Sequence, residues 1–350
     1  MKFQNVRVLA FAKRLGLRAL RFREVAVVSL IRQERRQSVL FEILDNYSKR
    51  VILEFIDPRS DTLRGHYFHP RNIYRLFDIT LEPKQGLIYT ARGDLLDDST
   101  SWESIRVYNS FPWNPGTRIP KAEVRDAIIL TSNSYYHWLI EDLPSTIHLL
   151  NSFPESPIVV ATSHPSYVRE FLKTVDRQIV VLDDVAKFES ILLVGKGKDC
   201  GWPHPVDVLV LRNYPPFASH LELSNKLART YISRRNSSRS PVNENEVEEI
   251  FMSYGFDIVI LEEMSLEAQI KVISSSSIIA GIHGAGLTNS VWLSPGSKVL
   301  DIANEDYWTE CFHRLCLLSN VEYLPFIYEG DFKSSISISK LEFQIRQLLR

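Results

Sequence analysis

The sequence predicts an α/β protein of two units joined near residues 200–220. Three observations carry this. Short apolar runs at Ala127–Leu130, Ile158–Ala161, Ile179–Leu182 and Ile191–Val194 alternate with helix-like stretches reaching Leu150 and covering Ser166–Val175, the rhythm of a parallel sheet with crossover helices. The rhythm breaks over 195–220, where Gly195, Gly197, Gly201, Pro203, Pro205, Pro215 and Pro216 gather. It then resumes. Tyr231-Ile232-Ser233 reads as a strand end, Asn243–Tyr254 as a helix, Ile258–Leu261 as a strand and Leu266–Ser274 as a helix. Ile278–Ile282 and Val299–Ile302 read as strands, with a helix start at Leu287–Leu293 between them.

The ends of the chain differ from this middle. Residues 1–38 form a basic amphipathic segment: Val8, Ala12, Leu15, Ala19 and Phe22 make an apolar stripe beside Arg7, Arg14, Arg18 and Arg21. Such a stripe over residues 1–36 can lie on an anionic membrane surface or dock on the body of the protein. The stretch 39–110 is rich in β-formers, with strands expected at Val39–Leu44, Val51–Phe55, Ile73–Thr80 and Gly86–Thr90. At the other end, Leu341, Ile345, Leu348 and Leu349 predict an amphipathic helix within 336–350.

Composition narrows the function. At 350 residues, 45% hydrophobic and 24% charged, the chain has globular composition. A formal charge of −1 argues against a polycation that coats nucleic acid. No apolar run approaches the roughly 20 residues of a bilayer span. Three cysteines, Cys200, Cys311 and Cys316, form neither a CxxC pair nor an even framework, which points to a reducing compartment and away from a structural zinc site.

The richest chemistry lies at Ile278–Asn289, where a buried strand runs into His283-Gly284-Ala285-Gly286 and then Leu287-Thr288-Asn289. Strand ends of α/β sheets bind ligands, glycines let backbone N–H groups approach an anion, and a helix N-terminus adds partial positive charge. A diphosphate is the expected guest, with His283 as a further donor and Thr288 and Asn289 capping the helix or touching the ligand. The alternative is a tight turn with a structural histidine. The spacing is neither G-x-G-x-x-G nor G-x-x-x-x-G-K-[ST], which disfavours a dinucleotide fold and an NTPase. Asp301 keeps a weak ribose-binding alternative.

Arg234, Arg235 and Arg239 follow a strand on the same presumed side of the sheet. Guanidinium forks match phosphate oxygens, so Arg234 and Arg239 are candidates for a diphosphate, or members of a solvated basic loop. Glu262 and Glu263 end a strand and Glu267 lies in the next helix; these read as solvated carboxylates, of which one could accept from a ribose. In the first unit, His137 and Glu141 stand at i and i+4, with Asp142 beside them. A carboxylate there can orient an imidazole as a base; the alternative is a packed aromatic segment with a satisfied histidine. No HExxH and no D-x-D triplet occurs, so no metal is expected.

Tyr135–Pro144, the Tyr231–Arg235 segment with Arg239 and Asn243-Glu244 behind it, and Gly281–Ile302 resemble glycosyltransferase family 61, in order over about residues 70–330. That resemblance implies a GT-B fold, two Rossmann-like domains facing a cleft: 39–205 on the acceptor side and 206–335 on the nucleotide-sugar side. It also implies inverting, metal-independent transfer from a nucleotide sugar, usually a UDP-sugar, to a hydroxyl of a glycan or lipid-linked saccharide, with no cofactor. Arg234 and Arg239 would then contact the diphosphate, His283 to Gly286 would line the nucleotide site, and His137, Glu141 and Asp142 would face the acceptor, His137 as base and Asp142 as its rival. Animal and plant relatives carry an N-terminal membrane anchor. Without one, the expectation is the bacterial branch: a cytoplasmic enzyme, peripheral on the inner membrane face, in capsular or surface polysaccharide synthesis. A catalytically inactive nucleotide-sugar-binding scaffold and an NAD-linked oxidoreductase are the alternatives.

Overall fold

The computed structural model describes residues 71–91, 118–196, 200–222 and 228–350, with the strand segments Glu24–Val25, Phe41–Asn46, Val51–Asp57, Thr62–Phe68 and Leu95–Leu96. The basic stripe expected at residues 1–36 lies outside the described residues, apart from Glu24–Val25, which pairs in parallel with Leu95–Leu96.

The first unit is a nine-stranded sheet. Its strands include β1 (Asn72–Glu82), β2 (Ala127–Ile129), β3 (Ile158–Ala161), β4 (Ile179–Leu182) and β5 (Ala186–Gly195). From β2 onward the alternation of strand and helix gives the parallel pairing it predicts: β5 with β2, β2 with β3, and β3 with β4. The β-rich stretch before it divides: Val51–Asp57 and Thr62–Phe68 pair with each other in a separate two-stranded sheet, and other strands join the large one. β1 joins the same sheet antiparallel to β5, so the sheet is mixed. Apolar residues on both faces of β2, β3 and β5 fix this arrangement, because each strand is sandwiched and reads as a continuous hydrophobic run.

The second unit is a five-stranded, all-parallel sheet of β6 (Ala228–Ile232), β7 (Asp257–Val259), β8 (Ser276–Ile282), β9 (Lys298–Asn304) and β10 (Glu322–Tyr328). Its spatial order is β7-β6-β8-β9-β10. The chain leaves β6 toward one edge and returns through β8 to build toward the other. The C-terminal ends of β6 and β8 therefore flank the topological switch point, where open parallel sheets bind ligands.

Helix α1 passes through three consecutive segments: an α-helical turn Tyr135–His137, a π-helical stretch Trp138–Asp142 and an α-helix Leu143–Ser152. Then come α2 (Ser166–Leu172), α3 (Pro205–Asn213), α4 (Pro215–Glu222), α5 (Glu244–Ser253), α6 (Leu266–Ser274), α7 (Cys311–Leu318) and α8 (Ile338–Leu348), the last burying Leu341, Ile345 and Leu348. The stretch 195–220, read as a boundary, follows the last strand of the first sheet and is mostly occupied by α3 and α4. Pro205 starts α3 and Pro215 starts α4, positions where the missing N–H has no helical partner to lose. The α-helix expected from Leu287 is corrected. Ala285–Trp292 is a 3₁₀ segment.

The two sheets share one apolar cluster, which runs from Trp138, Leu139 and Phe171 to Leu261, Ile270, Leu287 and Trp292. Polar contacts cross the same seam. Arg212 Nη1 donates to the carbonyls of Val291 and Leu293 at 2.7 and 2.6 Å, and the Leu266 amide donates to Glu170 Oε2 at 2.6 Å.

Candidate functional site

The first-unit candidates sit on α1, just beyond the C-terminal end of β2. Ser134 holds the N-cap position without a side-chain bond, and the helix widens to π geometry directly after His137, a feature that recurs at functional sites. His137 Nδ1 lies 2.5 Å from Glu141 Oε2, and Glu141 Oε1 accepts from the Gly201 amide at 2.7 Å. Burial would raise the Glu141 carboxyl, but Lys196, His137 and the Gly201 amide outweigh it and bring the carboxyl to about 2. Glu141 is therefore a fixed anion that orients the imidazole. His137 is 8% exposed, and its Nε2 has no hydrogen-bond partner among the described residues.

Asp142 has different surroundings. Its Oδ2 accepts from the amides of Thr131 and Ser132 at 3.0 and 2.6 Å, and its Oδ1 accepts from Lys196 Nζ at 2.9 Å. Lys196 also stands 4.0 Å from Glu141. Burial alone would lower the Lys196 ammonium, yet Asp142 and Glu141 push it up. Asp142 thus ties the start of α1 to the loop before it. No sequence motif marks Lys196; it meets Asp142 across 54 residues of chain.

The second-unit candidates line the switch point. Arg234 follows β6 and reaches the turn after β8, where Nη1 donates to the His283 carbonyl at 2.8 Å and Nη2 to Ser237 Oγ at 2.9 Å. The Arg234 amide donates to Glu244 Oε1. A Cβ on Gly284 would lie 1.8 Å from Arg234 Nη1, and one on Gly286 would lie 3.0 Å from Ile232 Cγ2, so both glycines are set by close approach. Burial, then the neighbouring Arg239 charge, lowers the Arg234 guanidinium. Neither arginine makes a salt bridge to a carboxylate among the described residues. Ala285 and Gly286, half-buried, open the 3₁₀ segment, whose first N–H groups lack intrahelical partners.

The other candidates are placed as follows. His283 is buried against Asp301, with Nδ1 2.8 Å from Oδ2 and Nε2 3.2 Å from Thr309 Oγ1. Asp301, fully buried, also accepts from Tyr323 and is thereby engaged away from any ribose. Asn289 accepts from the Tyr135 hydroxyl at 2.9 Å and donates to the Gly286 carbonyl at 3.1 Å, pinning the glycine turn to α1. Thr288 is fully buried, its Oγ1 without a partner among the described residues. Glu263, exposed at the end of a 3₁₀ turn, accepts from Asn236 at 2.8 Å. Aromatic rings connect the two groups: Tyr136 packs on His137 at 5.0 Å and on Phe312 at 5.8 Å, and Phe312 packs on His283 at 4.8 Å.

The His283–Asp301 pair makes stability depend on pH. Burial would lower the imidazole, but Asp301 raises it to about 10, above the roughly 6.5 of an unfolded histidine. The pair's contribution is then complete below about 6.5 and is lost as pH rises through about 10. The expected result is a melting temperature that falls more steeply between pH 7 and 10 for the wild type than for Asp301→Asn. Parallel curves would show that the pair is not ionised.

Among the described residues, no group of three or more His, Cys, Asp or Glu is placed to hold a metal ion, and no helix is long and apolar enough to cross a membrane. Over 102 residues, 28% of this chain and 19% of its relative, the chain is 31% identical to the EGF domain-specific O-linked N-acetylglucosamine transferase of Drosophila melanogaster. It is 31% identical over 85 residues, 23% of this chain and 14% of the relative, to an alpha-1,3-arabinosyltransferase of Oryza sativa subsp. japonica. A beta-1,2-xylosyltransferase of Arabidopsis thaliana is 31% identical over 64 residues, 18% of this chain and 12% of the relative. The chain therefore spans less than a fifth of the length of these relatives. Residues 135–300, just under half of the chain, match the family model Glycosyltransferase 61, and this segment holds His137, Glu141, Arg234, Arg239 and the glycine turn.

Proposed function

We propose that the protein is a glycosyltransferase that moves a sugar from a nucleotide sugar, a UDP-sugar by family resemblance, to a hydroxyl of a glycan or lipid-linked acceptor, with inversion and without a metal. One observation carries this reading: two adjacent guanidinium groups without carboxylate partners stand at the switch point of a parallel sheet, beside the free N–H groups of Ala285 and Gly286. Neither guanidinium makes a salt bridge among the described residues, although the Glu262 and Glu244 charges act on Arg234, and the arrangement suits a diphosphate. In this reading the two units form the facing halves of a GT-B architecture.

The transfer needs two kinds of help. With Nδ1 committed to Glu141, the Nε2 of His137 takes the proton from the acceptor hydroxyl as that oxygen attacks the anomeric carbon. The bond from the anomeric carbon to the phosphate oxygen breaks, and its electron pair leaves with the diphosphate. Arg234 and Arg239 stabilise that charge as it develops. No step calls for a divalent cation, because the guanidinium pair supplies the positive charge. Involvement in surface or capsular polysaccharide follows from the resemblance to the bacterial branch, and the basic amphipathic stripe of residues 1–36 suits an enzyme working on a lipid-linked acceptor at the inner membrane face.

A panel of nucleotide sugars tests the proposal. One UDP-sugar is expected to raise the melting temperature of the purified chain and, with an acceptor saccharide present, to release UDP at a rate unchanged by EDTA. Stabilisation without UDP release would identify a binding scaffold instead, and stabilisation by NADH alone would identify an oxidoreductase. Loss of turnover in EDTA would remove metal independence.

A further inference from the structure

Arg239 is held in an unusual way for a cation beside another cation. Its guanidinium carbon lies 5.1 Å from the centroid of Tyr307 and 5.6 Å from that of Phe332. The two rings pack edge to face at 4.8 Å, and Tyr307 also meets the His283 ring at 5.8 Å. Tyr307 is 41% exposed, so core burial does not account for an aromatic there. Both rings come from the rim of the second sheet. Tyr307 lies three residues beyond β9 and Phe332 four beyond β10, on the same C-terminal side as Arg234 and the glycine turn. Both also fall outside the segment 135–300 that matches the family model.

An aromatic face and a carboxylate hold a guanidinium to opposite effect. A carboxylate would fix its geometry but neutralise its charge. A ring quadrupole fixes it and leaves the full charge for an incoming anion. Holding the side chain in place before binding also reduces the ordering cost at the moment of binding. The Arg239 charge acts unfavourably on Arg234, and an aromatic clamp supplies the attraction that keeps Arg239 beside it before an anion binds.

We propose that Tyr307 and Phe332 are positioning residues that clamp Arg239 beside Arg234 and so preorganise the pair for a diphosphate. The inference rests on the donor-site reading above, and the experiment separates the two. Uridine diphosphate affinity is measured by calorimetry on the full chain. Tyr307→Phe keeps the ring and is expected to bind like the wild type. Tyr307→Leu or Phe332→Leu is expected to weaken binding about two- to fivefold, the range of a partly exposed cation–π contact, with an unchanged melting temperature for the exposed Tyr307 site. In an Arg239→Ala background, Tyr307→Leu is expected to cost nothing further. Unaltered affinity in Tyr307→Leu overturns the proposal. So does an undiminished loss in the Arg239→Ala background, which would mean that the ring touches the ligand itself or only supports the fold. If the wild-type chain ignores uridine diphosphate, the nucleotide reading fails. Inorganic pyrophosphate then probes the arginine pair, and the same pattern of losses decides the clamp.

Discussion

Arg234→Ala is expected to cut turnover by about 100- to 1,000-fold while the protein stays folded, the range seen when one donor to a developing anion is removed. The folded state should survive because the Arg234 guanidinium makes no salt bridge to a carboxylate among the described residues. Among the described residues its head hydrogen-bonds to the His283 carbonyl and to Ser237, and Glu244 is held by the Arg234 amide, which alanine keeps. The rate should collapse because the departing diphosphate loses its best-placed donor, and Arg239 is left alone in front of it. Arg234→Lys keeps a charge but not the two-pronged geometry, and an intermediate rate is expected. Gly284→Ala tests the same contact from the other side. Its Cβ would fall 1.8 Å from Arg234 Nη1, so the guanidinium must swing away although every charged group is still present. A similar loss of kcat in Gly284→Ala and Arg234→Ala, with intact circular dichroism, is the expected pattern. A folded Arg234→Ala enzyme with wild-type kcat would exclude this arginine from the chemistry.

How far the sequence foretold this arrangement depends on the range of the interactions. β3 at Ile158–Ala161, β4 at Ile179–Leu182 and α6 at Leu266–Ser274 appear with the predicted bounds, because each is an apolar run or stripe closed by local turn and capping residues. Ser265 caps α6 by accepting from the Ala268 amide, a contact readable within four residues. The prolines of 195–220 did not tell its helical form, since a proline at the first helical turn and a proline in a loop look alike in one sequence. β10 shows the converse. Pro325 inside Glu322–Tyr328 argues against a strand, but β10 is the sheet edge, where a missing N–H has no neighbour to serve.

The candidate site divides in the same way. The approach of Arg234 to Gly284 was foreshadowed, since both follow strands expected on one side of a sheet. The 3₁₀ form of Ala285–Trp292 was not, because a glycine turn followed by apolar residues reads equally as the start of an α-helix. Pairings set by tertiary contact left no trace in spacing. Asn289 spends its oxygen on Tyr135 across 154 residues, and Arg239 meets Tyr307 and Phe332 through space alone.

Lys196→Met is expected to have the largest effect on stability, about 3–5 kcal/mol, because it removes one partner from a buried charge cluster and leaves the others uncompensated. The side chains of Lys196, Glu141 and Asp142 are 3%, 0% and 5% exposed, so solvent can do little to replace the ammonium. The deficit should depend on pH in a definite sense. In the wild type, Glu141 sits at about 2 against an ordinary value of 4.5, so its contribution is present above about 4.5 and is lost as pH falls through about 2. Without Lys196 the carboxyl rises and protonates earlier, which relieves the buried charge. Urea denaturation should therefore show the full deficit at pH 7 and a smaller one near pH 4, and Asp142→Asn added to Lys196→Met should restore part of the loss at pH 7. A deficit of equal size at both pH values would mean that Lys196 contributes by packing its stem and not by its charge. It would also remove the argument that this cluster holds Glu141 ionised behind His137.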